Sequence, residues 1–234
     1  MISDIAHNIA HVRSRIRDAA MASGHDPDAV CLLAASKRQP VDKIREAIRA
    51  GADAVGENRV QEMLQKADAY AGAPLHFIGR LQKNKIKSVV GRAALIHSVE
   101  DIEQAACIAR RAEALGIVQE ALLQVNIGYE PTKGGFRPEA VRDALKCLLN
   151  SPGLRVRGLM CIPPAADPEI AEKFFLKMHQ LYVDITPDIE DNRGSHTGDG
   201  VPILSMGMSG DYAQAVACGS TLVRVGSAIF GARE

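Results

Sequence analysis

The chain has 234 residues, 47% of them apolar, and its 28 basic and 28 acidic side chains cancel. That length suits one α/β barrel or two small domains, with the composition of an ordinary globular protein. Zero net charge excludes an overall electrostatic pull toward nucleic acid or an anionic membrane, so any anion site must be local. In chain order, Ile2, Ile5, Ile9, Val12 and Ile16 recur at spacings of three and four. They predict an amphipathic helix, which Gly24 and Pro27 end.

A repeating rhythm of apolar run, loop and helical stretch follows. The runs Val30–Ser36, Asp53–Glu57, Leu75–Gly79, Leu95–Val99, Ala121–Ile127, Leu154–Ile162, Ile203–Gly207 and Thr221–Gly226 read as strands. Helical stretches lie between them, among them Val41–Ala50, Val60–Tyr70, Ile102–Leu115, Pro138–Leu149, Ala171–Val183 and Asp211–Cys218. Strands that are apolar throughout fit a parallel sheet covered on both faces. Eight such units predict a closed (β/α)₈ TIM barrel spanning residues 1–234 as a single domain. The residues after the last strand are too few for a covering helix, so the N-terminal helix is expected to take that place. Asp188–Val201 is polar and glycine-containing, and reads as a flexible loop at the face opposite the usual active site. His196 and Asp199 within it do not make a metal site.

The cysteines Cys31, Cys107, Cys147, Cys161 and Cys218 show no C-x-x-C spacing, which points to reduced thiols and a cytoplasmic setting. No apolar run approaches the ~20 residues of a membrane span. A signal peptide's apolar stretch is absent, and Asp4 and Asp18 argue against a transit peptide.

In barrels of this kind reactive groups gather at the C-terminal ends of the strands, with phosphate often at the loops after strands seven and eight. The first strand, VCLLAAS, ends in Lys37. Lys37 is either a solvated surface charge or an amine whose pKa is brought down by desolvation. Arg224 lies inside the eighth run, LVRVG, where burial demands a carboxylate, another acceptor or a ligand; it either pairs with an internal Asp or Glu or points at a ligand in the mouth. Gly226 and Ser227 follow it, and SMGMSGD places Ser209 after strand seven. Each serine reads singly as a helix cap; together the two glycine–serine turns form a candidate phosphate cup. Asn58 either caps a helix or faces the mouth beside Lys37. The loop GRLQKNK reads as a solvated basic loop and KGGF as a mobile lid or a plain βα loop. No H-E-x-x-H, Walker A loop or G-x-G-x-x-G pattern occurs.

The segments LLAASK, GADAVGENRVQE, LHFIGRLQKNK, LLQVNI with KGGF, RGLMCIP, LSMGMSGDY and TLVRVGSAIFGARE resemble the pyridoxal phosphate homeostasis proteins, also called the proline synthase co-transcribed family. The resemblance runs from the first strand to the C-terminus, although Asp188–Val201 is longer than that family leads one to expect. It implies a barrel like the N-terminal domain of alanine racemase, with pyridoxal 5′-phosphate held as a Schiff base on Lys37. It further implies Asn58 near the ring hydroxyl, Arg224 facing the pyridine nitrogen, and the phosphate against Ser209, Gly226 and Ser227. The implied role is vitamin B6 homeostasis without established turnover, by a protein that buffers the cofactor or hands it to apo-enzymes. An arginine at the pyridine nitrogen disfavours its protonation and weakens the ring as an electron sink. Two alternatives compete: an amino-acid racemase or related B6 enzyme, with Tyr129 or Tyr212 as second acid/base, and a sugar-phosphate barrel enzyme without B6. Full helical coverage of the barrel leads us to expect a monomer.

Overall fold

The computed structural model describes residues 4–164, 167–191 and 201–231. Eight parallel strands close into a barrel in sequence order, the last pairing with the first. They are β1 (Cys31–Ala35), β2 (Ala54–Glu57), β3 (Leu75–Phe77), β4 (Leu95–Val99), β5 (Gln119–Val125), β6 (Leu154–Cys161), β7 (Ile203–Met208) and β8 (Leu222–Val225). The order and the closure are those read from the sequence; only strand ends move by a residue or two.

Period-two alternation then decides which side chains enter the barrel. Leu33, Ala35, Ala54 and Leu222 pack together inside it with Cys31, Ile78 and Ile203. Their neighbours Leu32, Ala34, Val223 and Val225 face outward against the helices. This alternation is invisible in the sequence because both faces are buried in apolar surroundings.

The outer layer contains α1 (Asp4–Ala22), α2 (Val41–Arg49), α3 (Val60–Gln65), α4 (Ile86–Val89), α5 (Ile102–Glu113), α6 (Val141–Leu148), α7 (Pro168–Asp191), α8 (Tyr212–Ala217) and α9 (Ser227–Phe230). With only four residues, α9 cannot cover β8 and β1. The apolar stripe of α1 does so: Ile5, Ile9, Val12, Ile16 and Ala20 pack with Val216, Ile229 and Phe230.

Two helices depart from expectation. The Val60–Tyr70 stretch breaks at Lys66 into α3 and a 3₁₀ turn, Ala67–Tyr70. Lys66 leaves helical geometry there, with its ammonium on Glu62 (2.7 Å) and Glu57 (3.6 Å). The second departure is α7, which continues through Asp188–Asp191, so the first part of the expected loop is helical. Phe175, Met178, Tyr182, Ile185 and Ile189 form one buried stripe at spacings of three and four. Burying Ile185 and Ile189 is worth about 2 kcal/mol each, against about 3 kcal/mol for Pro187 inside the helix, so the stripe wins. His196 and Asp199 lie outside the described residues. Among the described residues no group of His, Cys, Asp and Glu can hold a metal, and no helix is long and apolar enough to cross a membrane.

Candidate functional site

The C-terminal ends of β1, β2, β7 and β8 bring the residues singled out in the sequence to one end of the barrel. Leu33 and Ala35 face the interior, and Lys37 follows them in the turn at the end of β1, half-buried. On β2, Gly56 abuts Leu33 and Ile78, which places Asn58 on the inward side as well. The Asn58 Oδ1 atom is buried with no hydrogen-bond partner among the described residues. A Cβ added to Gly79 would lie 2.2 Å from the Asn58 carbonyl oxygen, so the bare glycine lets the ends of β2 and β3 close together.

Outward of these residues a second set pins the same turn. The Ser36 hydroxyl donates to Glu57 Oε1 at 2.9 Å. The Arg38 amide, at a left-handed φ of 60°, donates to Glu62 Oε2 at 2.7 Å. Glu57 is fully buried, and burial pushes its carboxyl above the usual range against the opposing pull of Lys66. Sequence reasoning missed Glu57 and Glu62. An acidic residue ending a buried strand was the signal for Glu57; Glu62, on α3, carried none, and only the fold shows that the two hold the Lys37 turn.

Arg224 is 5% exposed. It meets neither an Asp nor a Glu: among the described residues no carboxylate lies within ion-pair distance of it. Its Nη1 donates to Ser205 Oγ at 2.6 Å and its Nη2 to the Cys161 carbonyl at 2.9 Å. Two polar contacts leave part of a five-donor guanidinium for a ligand. From Ser205 the polar contacts continue across the interior, 3.1 Å to His97 Nδ1 and then 3.0 Å from His97 Nε2 to His76 Nδ1. Neither histidine was singled out in the sequence, although each interrupts an apolar run.

Burial pushes His76 down to about 4, and burial together with the charges of His76 and Arg224 holds His97 well below its ordinary value. Both rings are therefore neutral in the fold and titrate near 6.5 when unfolded. Below that pH the unfolded chain binds protons the native chain refuses, so stability is full above about 6.5 and is lost as pH falls toward 4. Each histidine contributes about 1.4 kcal/mol per pH unit in that window. Urea unfolding at pH 7 and pH 5 should therefore differ by about 4 kcal/mol; equal midpoints would contradict neutral burial.

The two glycine–serine turns meet. Ser209 Oγ accepts from the Gly226 amide at 3.0 Å and the Ala228 amide at 3.3 Å. Ser209 thus caps α9 from the neighbouring turn rather than the helix that follows it, α8, whose N-cap is Asp211, while its own O–H and the exposed Ser227 hydroxyl remain to donate outward.

Of the two readings of KGGF the structure bears out the plain βα loop, and GRLQKNK is an exposed basic loop, as read. KGGF is a built βα loop: Phe136 pairs with Val125, its amide donates to Gln124 O at 2.8 Å, and Asn126 donates to the Lys133 carbonyl. GRLQKNK is ion-paired, Arg80 to Glu100 at 3.0 Å and Lys83 to Glu103 at 2.5 Å. Neither tyrosine presents a free hydroxyl as an acid/base group. Tyr212 is buried beneath Arg15, and the Tyr129 hydroxyl donates to Glu139 at 2.9 Å.

The family described as alanine racemase, N-terminal domain, matches residues 2–234. The chain belongs to that family. Within it, the chain is 40% identical to the pyridoxal phosphate homeostasis protein of Aquifex aeolicus over 97% of each chain. Identity to the protein of that name from Escherichia coli K12 is 36%, over the whole of this chain and 98% of the relative. These names describe homeostasis proteins rather than enzymes. Among solved structures, PipY of Synechococcus elongatus with PLP bound superposes with a TM-score of 0.81 at 32% identity, covering 97% of this chain and all of that one. An alanine racemase from Corynebacterium glutamicum, at 16% identity and a TM-score of 0.67, shares the fold and is 62% covered.

The donor set of the mouth fits pyridoxal phosphate. It offers a half-buried amine, an unpartnered amide oxygen, a buried guanidinium and two serine hydroxyls.

Proposed function

We propose that this chain binds pyridoxal 5′-phosphate at the barrel mouth and takes part in its homeostasis as a holding protein. Arg224 carries the reading. A buried guanidinium without a carboxylate is costly unless a ligand uses it, and its place on β8 aims it at the ring of a cofactor whose phosphate lies above α9. When bound, pyridoxal phosphate supplies an aldehyde that reacts with amines and a ring that withdraws electrons. The chain's own residues do the rest. Lys37 is the tether, Asn58 Oδ1 accepts from the ring hydroxyl, and Arg224 donates to the ring nitrogen and keeps a proton off it. Ser209, Gly226 and Ser227 hold the phosphate.

The printed names of the relatives and the PLP-bound PipY support this reading. The placement of Tyr129 and Tyr212 speaks against the racemase alternative, because neither is set to serve as an opposing acid/base. We take residues 1–234 as one binding domain, acting as a cytoplasmic monomer that passes the cofactor to apo-enzymes. The test is uptake. The purified chain, dialysed against pyridoxal phosphate and desalted, should retain about one equivalent with visible absorbance, and excess inorganic phosphate should compete. A colourless protein with no retained cofactor would overturn the proposal.

A further inference from the structure

The chain of polar contacts beneath the site has a direction, and Arg224 sets it. A guanidinium only donates, so Ser205 Oγ must accept from Arg224 Nη1 at 2.6 Å. The hydroxyl hydrogen of Ser205 is then left for the one other partner it meets, His97 Nδ1 at 3.1 Å. That nitrogen accepts, so the proton of neutral His97 sits on Nε2, which donates to His76 Nδ1 at 3.0 Å. His76 in turn carries its proton on Nε2.

We propose that Ser205, His97 and His76 are positioning residues for Arg224. They form a one-way hydrogen-bonded chain across the barrel that locks both imidazoles as the neutral Nε2–H tautomer and holds the guanidinium at its place beneath the mouth.

The arrangement spans β3, β4, β7 and β8, so four strands of the closed barrel must be in register for it to form. A proton added to His76 Nδ1 has no acceptor unless the whole chain reverses. His97 would then donate to Ser205 Oγ, which already accepts from Arg224, and the serine hydrogen would lose its acceptor. The charged groups facing this chain are Arg224 itself and, more distantly, Asp211; Cys161 offers its carbonyl to Arg224. A cation at Arg224 opposes a second cation on either ring, and burial opposes it further. The tautomers follow from the protein alone, whereas the consequence for the cofactor ring rests on the function proposed above.

The experiment separates the two. Long-range ¹H–¹⁵N spectra of the full chain without cofactor report the tautomer of each histidine, with His76 and His97 assigned through His76→Gln and His97→Gln. Both are expected as Nε2–H, unchanged between pH 5.5 and 8. Ser205→Ala removes the partner that fixes His97 and should populate its Nδ1–H form, while Ser205→Thr keeps the hydroxyl and the wild-type pattern. An Nδ1–H tautomer or an imidazolium at His97 in the wild type would overturn the inference, as would His97 signals unchanged in Ser205→Ala. If Ser205→Ala does not fold, the wild-type tautomers and Ser205→Thr still decide.

With pyridoxal phosphate added, Ser205→Ala should bind roughly tenfold more weakly, the scale of one hydrogen bond to a charged group. The visible absorbance of the bound cofactor should also titrate at a different pH, with both changes reversed in Ser205→Thr. An unaltered pH profile in a folded Ser205→Ala would remove the positioning role. A wild type that takes up no cofactor would remove the function proposed above and leave the tautomers to be judged alone.

Discussion

Lys37→Ala is expected to abolish covalent capture of pyridoxal phosphate. Borohydride reduction of the wild type loaded with cofactor should leave one stable adduct, mapped by mass spectrometry to the peptide containing Lys37; the variant should show none. Lysine is the group that matters because only an unprotonated amine attacks an aldehyde, and Lys37 stands half-buried at the end of β1. Lys37→Arg sharpens the result. It keeps the charge and the length, yet a guanidinium stays protonated and cannot react, so it too should give no adduct. Arg224, Asn58 and the Ser209 turn remain in both variants, so weak reversible binding should persist with the visible band lost. An adduct of equal yield on another lysine, for example Lys133, would show that Lys37 is not the tether.

Gly79→Ala should have a large effect although it touches no ligand directly. An added Cβ would stand 2.2 Å from the carbonyl oxygen of Asn58 and 2.7 Å from its Cα and carbonyl carbon. These are backbone atoms and cannot turn aside, so the ends of β2 and β3 must part. Overpacking of this kind costs about 3 kcal/mol, or roughly 6–12 °C in Tm for a chain of this size. The strain falls on the residue whose Oδ1 awaits a partner, so cofactor affinity should drop by about tenfold or more. Thermal unfolding and binding titration check the two halves. Gly210→Ala is the stability control, since its added Cβ meets nothing within 4 Å and its Tm should not move. An unchanged Tm in Gly79→Ala would mean that the two strand ends are looser than the close contact shows.

What lies together in the site was partly legible because it depends on strand ends. Lys37, Asn58, Ser209, Arg224, Gly226 and Ser227 each adjoin or interrupt an apolar run, and a barrel gathers such ends without further information. The residues that were missed act sideways. Glu62 reaches the Arg38 amide from α3, Gly79 makes room for Asn58 from the neighbouring strand, and His97 meets Ser205 across the barrel, 108 positions along the chain. Nothing in local spacing records such a pairing. Tyr212 shows the converse error. Its place in a loop after β7 suggested the mouth, yet it is the first residue of α8 and packs beneath α1.

Sequence alone determined the count and order of strands, because eight apolar runs separated by helical stretches point to a closed parallel barrel rather than an open doubly wound sheet. It also determined that Arg224 must find a partner, since an arginine inside LVRVG has no water to turn to. The tertiary structure decided which partner. By closing β8 onto β1 and laying β7 and β6 within reach, it gave the guanidinium a serine and a carbonyl instead of a carboxylate, with two histidines behind the serine. A charge met only by neutral acceptors keeps donors for a ligand, and which acceptors these are depends on register around the barrel, a long-range quantity that no single strand contains.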